Sequence, residues 1–176
     1  MIIQFCGLSG SGKTTIARRV KELLAVKNIP VEIIDGDEYR KVLCADLGFS
    51  REDRNTNIRR LAFVAGKLSS YNIITIICAI NPYESVRDEV KTTYPNVTTV
   101  FIDCGLEELI KRDTKGLYKK ALLPDGHPDK VHNLTGVNDP FDIPQNPDLI
   151  IRSDSEEVEN SVERLIQFIL ANYKSS

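Results

Sequence analysis

The stretch Ile2-Ile3-Gln4-Phe5-Cys6-Gly7-Leu8-Ser9-Gly10-Ser11-Gly12-Lys13-Thr14-Thr15 decides the fold. An apolar, β-branched run passes into G-x-x-x-x-G-K-[ST] and then into a helix-period segment, the strand–loop–helix context that a phosphate-binding loop requires. Glycines let the backbone wrap a phosphate so that several N–H groups point inward at a helix N-terminus. Lys13 is then placed to reach the β- and γ-phosphates, and the Thr14 hydroxyl to ligate Mg²⁺. The loop is therefore a nucleoside triphosphate site, with Gly7, Ser9, Gly10, Ser11, Gly12, Lys13, Thr14 and Thr15 as its candidate residues. No Asn-Lys-x-Asp sequence, the guanine-reading signature, occurs anywhere in the chain, which argues against a GTPase.

Outward from this loop, short Val/Ile/Thr-rich runs alternate with helix-period segments. Strands are predicted over Ile2–Cys6, Val31–Asp35, Ile73–Cys78, Val97–Asp103 and Leu149–Arg152. Helices are predicted over Lys13–Lys27, Glu38–Cys44, Arg51–Ser70, Glu84–Thr92, Leu106–Arg112 and Glu156–Tyr173. Ser50, three residues ahead of Asp53, resembles a capping box and is expected to fix one helix start. In the last helix Val158, Val162, Leu165, Ile166, Ile169 and Leu170 recur at helical spacing and should face the sheet. This βαβα alternation predicts an α/β fold with three layers, a mostly parallel five-stranded sheet flanked by helices. One segment breaks the rhythm. Residues 114–148 show no sustained periodicity and hold five of the eight prolines, which together with Lys115, Lys119 and Lys120 reads as a functional lid.

Length and composition set the class. The 176 residues predict one domain, residues 1–176. With 23 Lys plus Arg against 25 Asp plus Glu, the formal charge of −2 excludes a protein that owes its affinity to a basic surface for nucleic acid or anionic lipid. No apolar run approaches the roughly 20 residues needed to cross a bilayer. Met1 leads straight into Ile2 without a basic segment or cleavage site, so no export signal and a cytoplasmic location are expected. Cys6, Cys44, Cys78 and Cys104 form no Cys-x-x-Cys pair and are expected to be buried thiols. His127 and His132 are expected to be loop residues.

Two apolar strands end in a carboxylate, at Asp35 and at Asp103, and either could serve the metal side. Asp35 is the better candidate because Gly36-Asp37 places a second carboxylate at the same strand tip, where ligands bind in parallel sheets. Arg40, Arg54, Arg59 and Arg60 follow within a short stretch. They look like an anion site, although charge pattern alone fits a surface ion-pair ladder equally well.

Taken together, Gly7–Thr15, Asp35-Gly36-Asp37 with Arg40, Leu47–Ser50, Asp53-Arg54-Asn55-Thr56-Asn57-Ile58-Arg59-Arg60, Arg112-Asp113-Thr114-Lys115-Gly116-Leu117-Tyr118 and Thr135-Gly136…Asp139-Pro140-Phe141 resemble the adenylyl-sulfate kinase family. The resemblance runs in order over nearly the whole chain. It implies a P-loop kinase fold, ATP as phosphoryl donor with Mg²⁺, a small-molecule nucleotide acceptor, and a homodimer. It implies transfer of the γ-phosphoryl group to the ribose 3′-hydroxyl of adenylyl sulfate, giving 3′-phosphoadenylyl sulfate. On matching positions Asp37 is the orienting group or base, beside Lys13, and Asp35 acts through the Mg²⁺ shell with Thr14. Arg40, Arg54 and Asn57 would hold the phosphate–sulfate group, with Ile58 beside them, and Phe49 would stack on the base. Lys115 and Leu117 belong to the lid, and Arg112 and Thr135 border the ATP base.

The departures from the family pattern fall on the acceptor side. Leu134 stands where the family usually has the Phe that completes an aromatic sandwich with Phe49. Residues 121–133 are about five longer than the usual connection, bringing Pro124, Gly126 and Pro128. Asn81 replaces the Ser of a Ser-Pro-Tyr element, which closes any route through a phosphoserine there and leaves an amide that could donate to the acceptor nucleotide. Losing one stacking face, worth about 1–3 kcal/mol, weakens or changes base selection. The alternative is therefore a paralogue acting on a modified pyrimidine nucleotide such as the cytidine diphosphoramidate of capsule biosynthesis. A nucleotide-dependent switch would need neither the arginines nor a lid.

Overall fold

The structure, a computed structural model, describes residues 1–173; the last three residues of the expected domain lie outside them. Five strands, β1 (Ile2–Cys6), β2 (Val31–Asp35), β3 (Ile74–Cys78), β4 (Val97–Asp103) and β5 (Leu149–Arg152), form one sheet in the order β2-β3-β1-β4-β5. Every pairing is parallel. All the strand C-termini therefore lie on one edge, and the phosphate loop leaves the central strand there. The helices are α1 (Lys13–Ala25), α2 (Gly36–Tyr39), α3 (Arg51–Ser69), α4 (Glu84–Thr93), α5 (Leu106–Arg112), α6 (Leu117–Ala121) and α7 (Val158–Asn172).

Side chains of β1 alternate between the two faces, as strand geometry demands. Ile3 and Phe5 join Ile16, Val20, Leu24, Val162, Leu165 and Ile169 in the core under α1 and α7. Ile2 joins Ile58, Leu61, Ala65, Val86 and Val90 under α3 and α4. The sheet is thus covered on both sides, in the predicted three layers. Val158 and Leu170 are exposed; Leu170 turns away from the sheet although its neighbour Ile169 is fully buried in the core.

The segment without periodicity is ordered by a small core of its own. Cys104, Leu109, Tyr118, Ala121 and Leu134 are buried together, with Leu8 of the phosphate loop packed against them. It contains a helix that the sequence reading missed, α6, because five residues are too few for a 3.6-residue period to register. All four cysteines are free and buried. His127 and His132 lie exposed in the loop, as expected. Among the described residues no helix is long and apolar enough to cross a membrane.

Candidate active site

Gly7 sits where β1 ends. A Cβ there would lie 2.4 Å from the Ile102 carbonyl of β4, and its φ of 150° is one that side chains rarely adopt, so only glycine lets the chain pass. Gly10 and Gly12 also have positive φ, turning the loop into α1. Lys13 folds back over this turn, its Nζ donating to Gly7 O at 2.8 Å, Leu8 O at 2.7 Å and Ser11 Oγ at 3.3 Å. Burial pushes its ammonium down to about 8. Such a cation, held among neutral acceptors, gains from an anion that replaces them.

The next strand tip carries two carboxylates with different tasks. Asp35 accepts from Thr14 Oγ1 at 2.8 Å through one oxygen and from the Asp37 backbone N–H at 2.9 Å through the other. The second bond caps α2, so the helix starts directly on Gly36 rather than at the predicted Glu38. It also ends at Tyr39, and turns replace the predicted helix through Cys44. Asp37 is exposed and ion-paired with Lys115. Thr14 and Asp35 offer hard oxygen ligands side by side, which suits Mg²⁺ completed by phosphate oxygens and water. Asp103 is not part of this arrangement; its backbone carbonyl accepts from Ser153.

One cleft of about 770 Å³ gathers these groups. Ser9, Gly10, Gly12, Lys13, Thr14 and Thr15 line it from the phosphate loop, and Asp35 and Asp37 from the β2 tip. Arg40, Phe49, Arg54, Asn57 and Ile58 line it from α3 and the chain leading into it. Asn81, Lys115, Leu117, Leu134 and Thr135 complete the set of expected residues in the cleft. Gly7 and Ser11 do not line it: Gly7 is tucked against β4, and the Ser11 N–H is taken by Leu8 O at 3.3 Å. Arg112 does not line it either; it bonds to Glu108 and to the Ser153 carbonyl, away from Thr135.

The four arginines separate into two pairs. Arg40 and Arg54 place their guanidinium carbons 4.6 and 5.5 Å from the Phe49 ring centre, so two cations gather at one exposed ring. Burial, and then the neighbouring Arg54, lower the pKa of Arg40. Arg59 and Arg60 instead pair with Glu52 and Glu89 and with Asp46 on the surface, so for these two the ion-pair ladder is correct. Arg54 is buried and partly committed to the protein. Its Nε donates to Phe49 O at 2.9 Å and its NH2 to Asn133 O at 2.6 Å. The Asp139 carboxylate lies 2.8 Å from the same nitrogen but off the axis of a hydrogen bond, so its Oδ2 has none.

Asn81 already has a partner inside the protein. Gln4 Nε2 donates to the Arg87 carbonyl and to Thr99 Oγ1, both at 3.0 Å, which turns Gln4 Oε1 toward Asn81. The Asn81 amide donates to that oxygen at 3.1 Å and so faces the core. The buried Arg87 holds the Asn81 carbonyl at 2.6 Å and the Asp142 carbonyl at 2.6 Å. This polar layer beneath the cleft was missed in the sequence, where Gln4 reads as one residue of an apolar strand. Asn57 Oδ1, Asn81 Oδ1 and Thr135 Oγ1, all on residues lining the cleft, are buried without partners. Leaving such groups unmet costs about 1–3 kcal/mol each, which points to a ligand that meets them.

Residues 1–152 match the family described as Adenylylsulphate kinase. The chain belongs to the adenylylsulphate kinase family. Within it, the adenylyl-sulfate kinase of Deinococcus deserti is 42% identical over 97% of this chain and 92% of its own length. That of Chloroflexus aurantiacus is 43% identical over 94% and 87%. An APS kinase of Mycobacterium tuberculosis, solved in complex with AMPPNP and APS, superposes with a TM-score of 0.89 at 34% identity, covering 96% of each chain. Adenylylsulphate kinase membership brings the P-loop kinase fold with it, and the five-stranded parallel sheet agrees.

Proposed function

We propose that the protein transfers the γ-phosphoryl group of ATP to the ribose 3′-hydroxyl of adenylyl sulfate, yielding ADP and 3′-phosphoadenylyl sulfate. This reading rests on one cleft being lined both by the phosphate loop and, two residues beyond its carboxylate partner Asp35, by Asp37 with the arginine-flanked Phe49. The names of the relatives support adenylyl sulfate as the acceptor and lend nothing to the pyrimidine alternative.

Phosphoryl transfer is mainly positioning and charge stabilisation. The loop N–H groups and Lys13 hold the donor phosphates. Thr14 and Asp35 would hold Mg²⁺, which when bound neutralises phosphate charge. Phe49 carries the acceptor base, while Arg40, the free edge of Arg54 and Asn57 take its phosphate–sulfate group. Asp37 orients the 3′-hydroxyl and accepts its proton as the new O–P bond forms and the bond to the ADP oxygen breaks. Lys115, released from Asp37, is then free to face the transferring phosphoryl group. The segment 114–148 acts as a lid that keeps water from competing for that group.

The test is an acceptor panel of adenylyl sulfate, cytidine diphosphoramidate and plain nucleoside phosphates, with ADP release and product mass as readouts. Adenylyl sulfate gaining one phosphoryl group supports the reading. Turnover only with the pyrimidine acceptor, or steady ATP hydrolysis that ignores every acceptor, rejects it.

A further inference from the structure

Tyr118 is buried on α6 and does not line the cleft, yet its hydroxyl donates to the Ser9 carbonyl of the phosphate loop at 2.8 Å. Ser9 and Gly10 share one peptide plane, and no peptide bond among the described residues is cis. In a trans peptide the C=O and the following N–H point in opposite directions. Holding the Ser9 carbonyl toward Tyr118 therefore turns the Gly10 N–H the other way. That N–H donates to no group among the described residues, and Gly10 lines the cleft. Burial pushes the Tyr118 hydroxyl up to about 12, so it remains a donor through the neutral range.

α6 is itself pinned in place. The Asp113 carboxylate accepts from the Tyr118 N–H at 3.0 Å and from the Lys119 N–H at 2.9 Å. Three residues before Tyr118, Lys115 meets Asp37 on the acceptor side. Gly136 presses on Leu8, where a Cβ would lie 2.6 Å from its side chain, so the same segment touches the phosphate loop a second time.

We propose that Tyr118 is a positioning residue for the phosphate loop: its hydroxyl fixes the Ser9–Gly10 peptide so that the Gly10 N–H faces the donor phosphates, tying the geometry of the donor site to the docking of α6. This rests on the ATP reading above. It names a hydroxyl that never touches substrate as the group that holds a cradle donor in place.

The experiment compares the unaltered chain with Tyr118→Phe, which keeps the ring and its packing. A non-hydrolysable ATP analogue is titrated by calorimetry, and the Gly10 amide is followed by NMR in the same titration. The unaltered chain is expected to bind with a marked shift of the Gly10 amide. In Tyr118→Phe the affinity falls about ten-fold, as for a buried carbonyl left without its donor, the Gly10 shift shrinks, and the acceptor KM is unchanged. Equal affinity and an equal Gly10 shift in both proteins overturn the proposal, even if the variant melts earlier. Failure of the unaltered chain to bind the analogue overturns the ATP reading itself, and the proposal with it.

Discussion

Thr14 Oγ1 donates to Asp35 Oδ2 at 2.8 Å, joining the first turn of α1 to the tip of β2 across the intervening strand β3. The other Asp35 oxygen caps α2 and so sets where Asp37 stands. One carboxylate thereby ties the proposed metal side to Asp37, the proposed base. Replacing it separates charge from shape. Asp35→Asn should keep the fold, costing no more than the roughly 1 kcal/mol of a helix cap, while turnover drops by orders of magnitude and is partly restored by raising Mg²⁺. Steady-state rates against Mg²⁺ concentration, with thermal melts alongside, check this.

The arginines make a sharper contrast. Arg54 is buried against Phe49 and Asn133, whereas Arg59 and Arg60 sit in exposed ion pairs. Arg54→Ala should destabilise by about 2–4 kcal/mol and raise the acceptor KM strongly. Arg59→Ala and Arg60→Ala should each change stability by less than about 1 kcal/mol and leave kcat alone. Urea unfolding and acceptor titrations of the three variants decide it.

The contrast also shows what the sequence could and could not convey. The phosphate loop, the five strands and the Ser50 capping box depend on neighbours within a few residues, so they were legible in the order of residue types. Besides Glu52 of its own helix, Arg59 pairs with Glu89, and Arg60 pairs with Asp46; Glu89 and Asp46 lie outside α3, and no local pattern announces those two pairs. The same holds for Asn81, whose amide is turned by Gln4 and, through it, by the Arg87 carbonyl. At α2 the misplacement has a local cause: a strand-ending aspartate doubles as the helix cap, leaving no linker where one was expected.

Lys13 gives a pH signature. Burial lowers its pKa from 10.5 to about 8, so between those values the unfolded chain carries a proton that the native chain lacks. Stability therefore rises with pH through this window, by at most about 1.4 kcal/mol per pH unit, while below about 8 the cost of the buried charge is present in full. The buried Cys6 and Cys78 thiols, pushed up to about 12, act in the opposite sense above their ordinary value of 9.0. Those thiols are present in both proteins when the chain is compared with Lys13→Met. Urea unfolding across pH 8 to 10, a window set by the lysine shift, should show the unaltered chain gaining on the variant. A constant difference would contradict the shift.

Leu134 is buried just after residues 121–133, among Tyr118, Ala121 and Leu109, and lines the cleft with Phe49. Leu134→Phe should supply a second aromatic face. A gained stack of about 1–3 kcal/mol would lower the KM for adenylyl sulfate roughly 5- to 150-fold, against a smaller gain for a pyrimidine nucleotide. Acceptor titrations of the variant read this directly, and equal gains for the two bases would rule out stacking at this wall.

The most direct test of the account follows the phosphoryl group itself. ATP labelled in its γ-phosphoryl group is mixed with adenylyl sulfate and Mg²⁺, using the unaltered chain and Asp37→Asn, and the product is opened with a 3′-specific nucleotidase. Label is expected on the ribose 3′-oxygen, with one ADP per labelled product and a rate about 10²–10⁴-fold lower in Asp37→Asn with ATP binding unchanged. Label released as free phosphate by the unaltered chain before the nucleotidase is added, or full transfer by Asp37→Asn, would contradict that expectation.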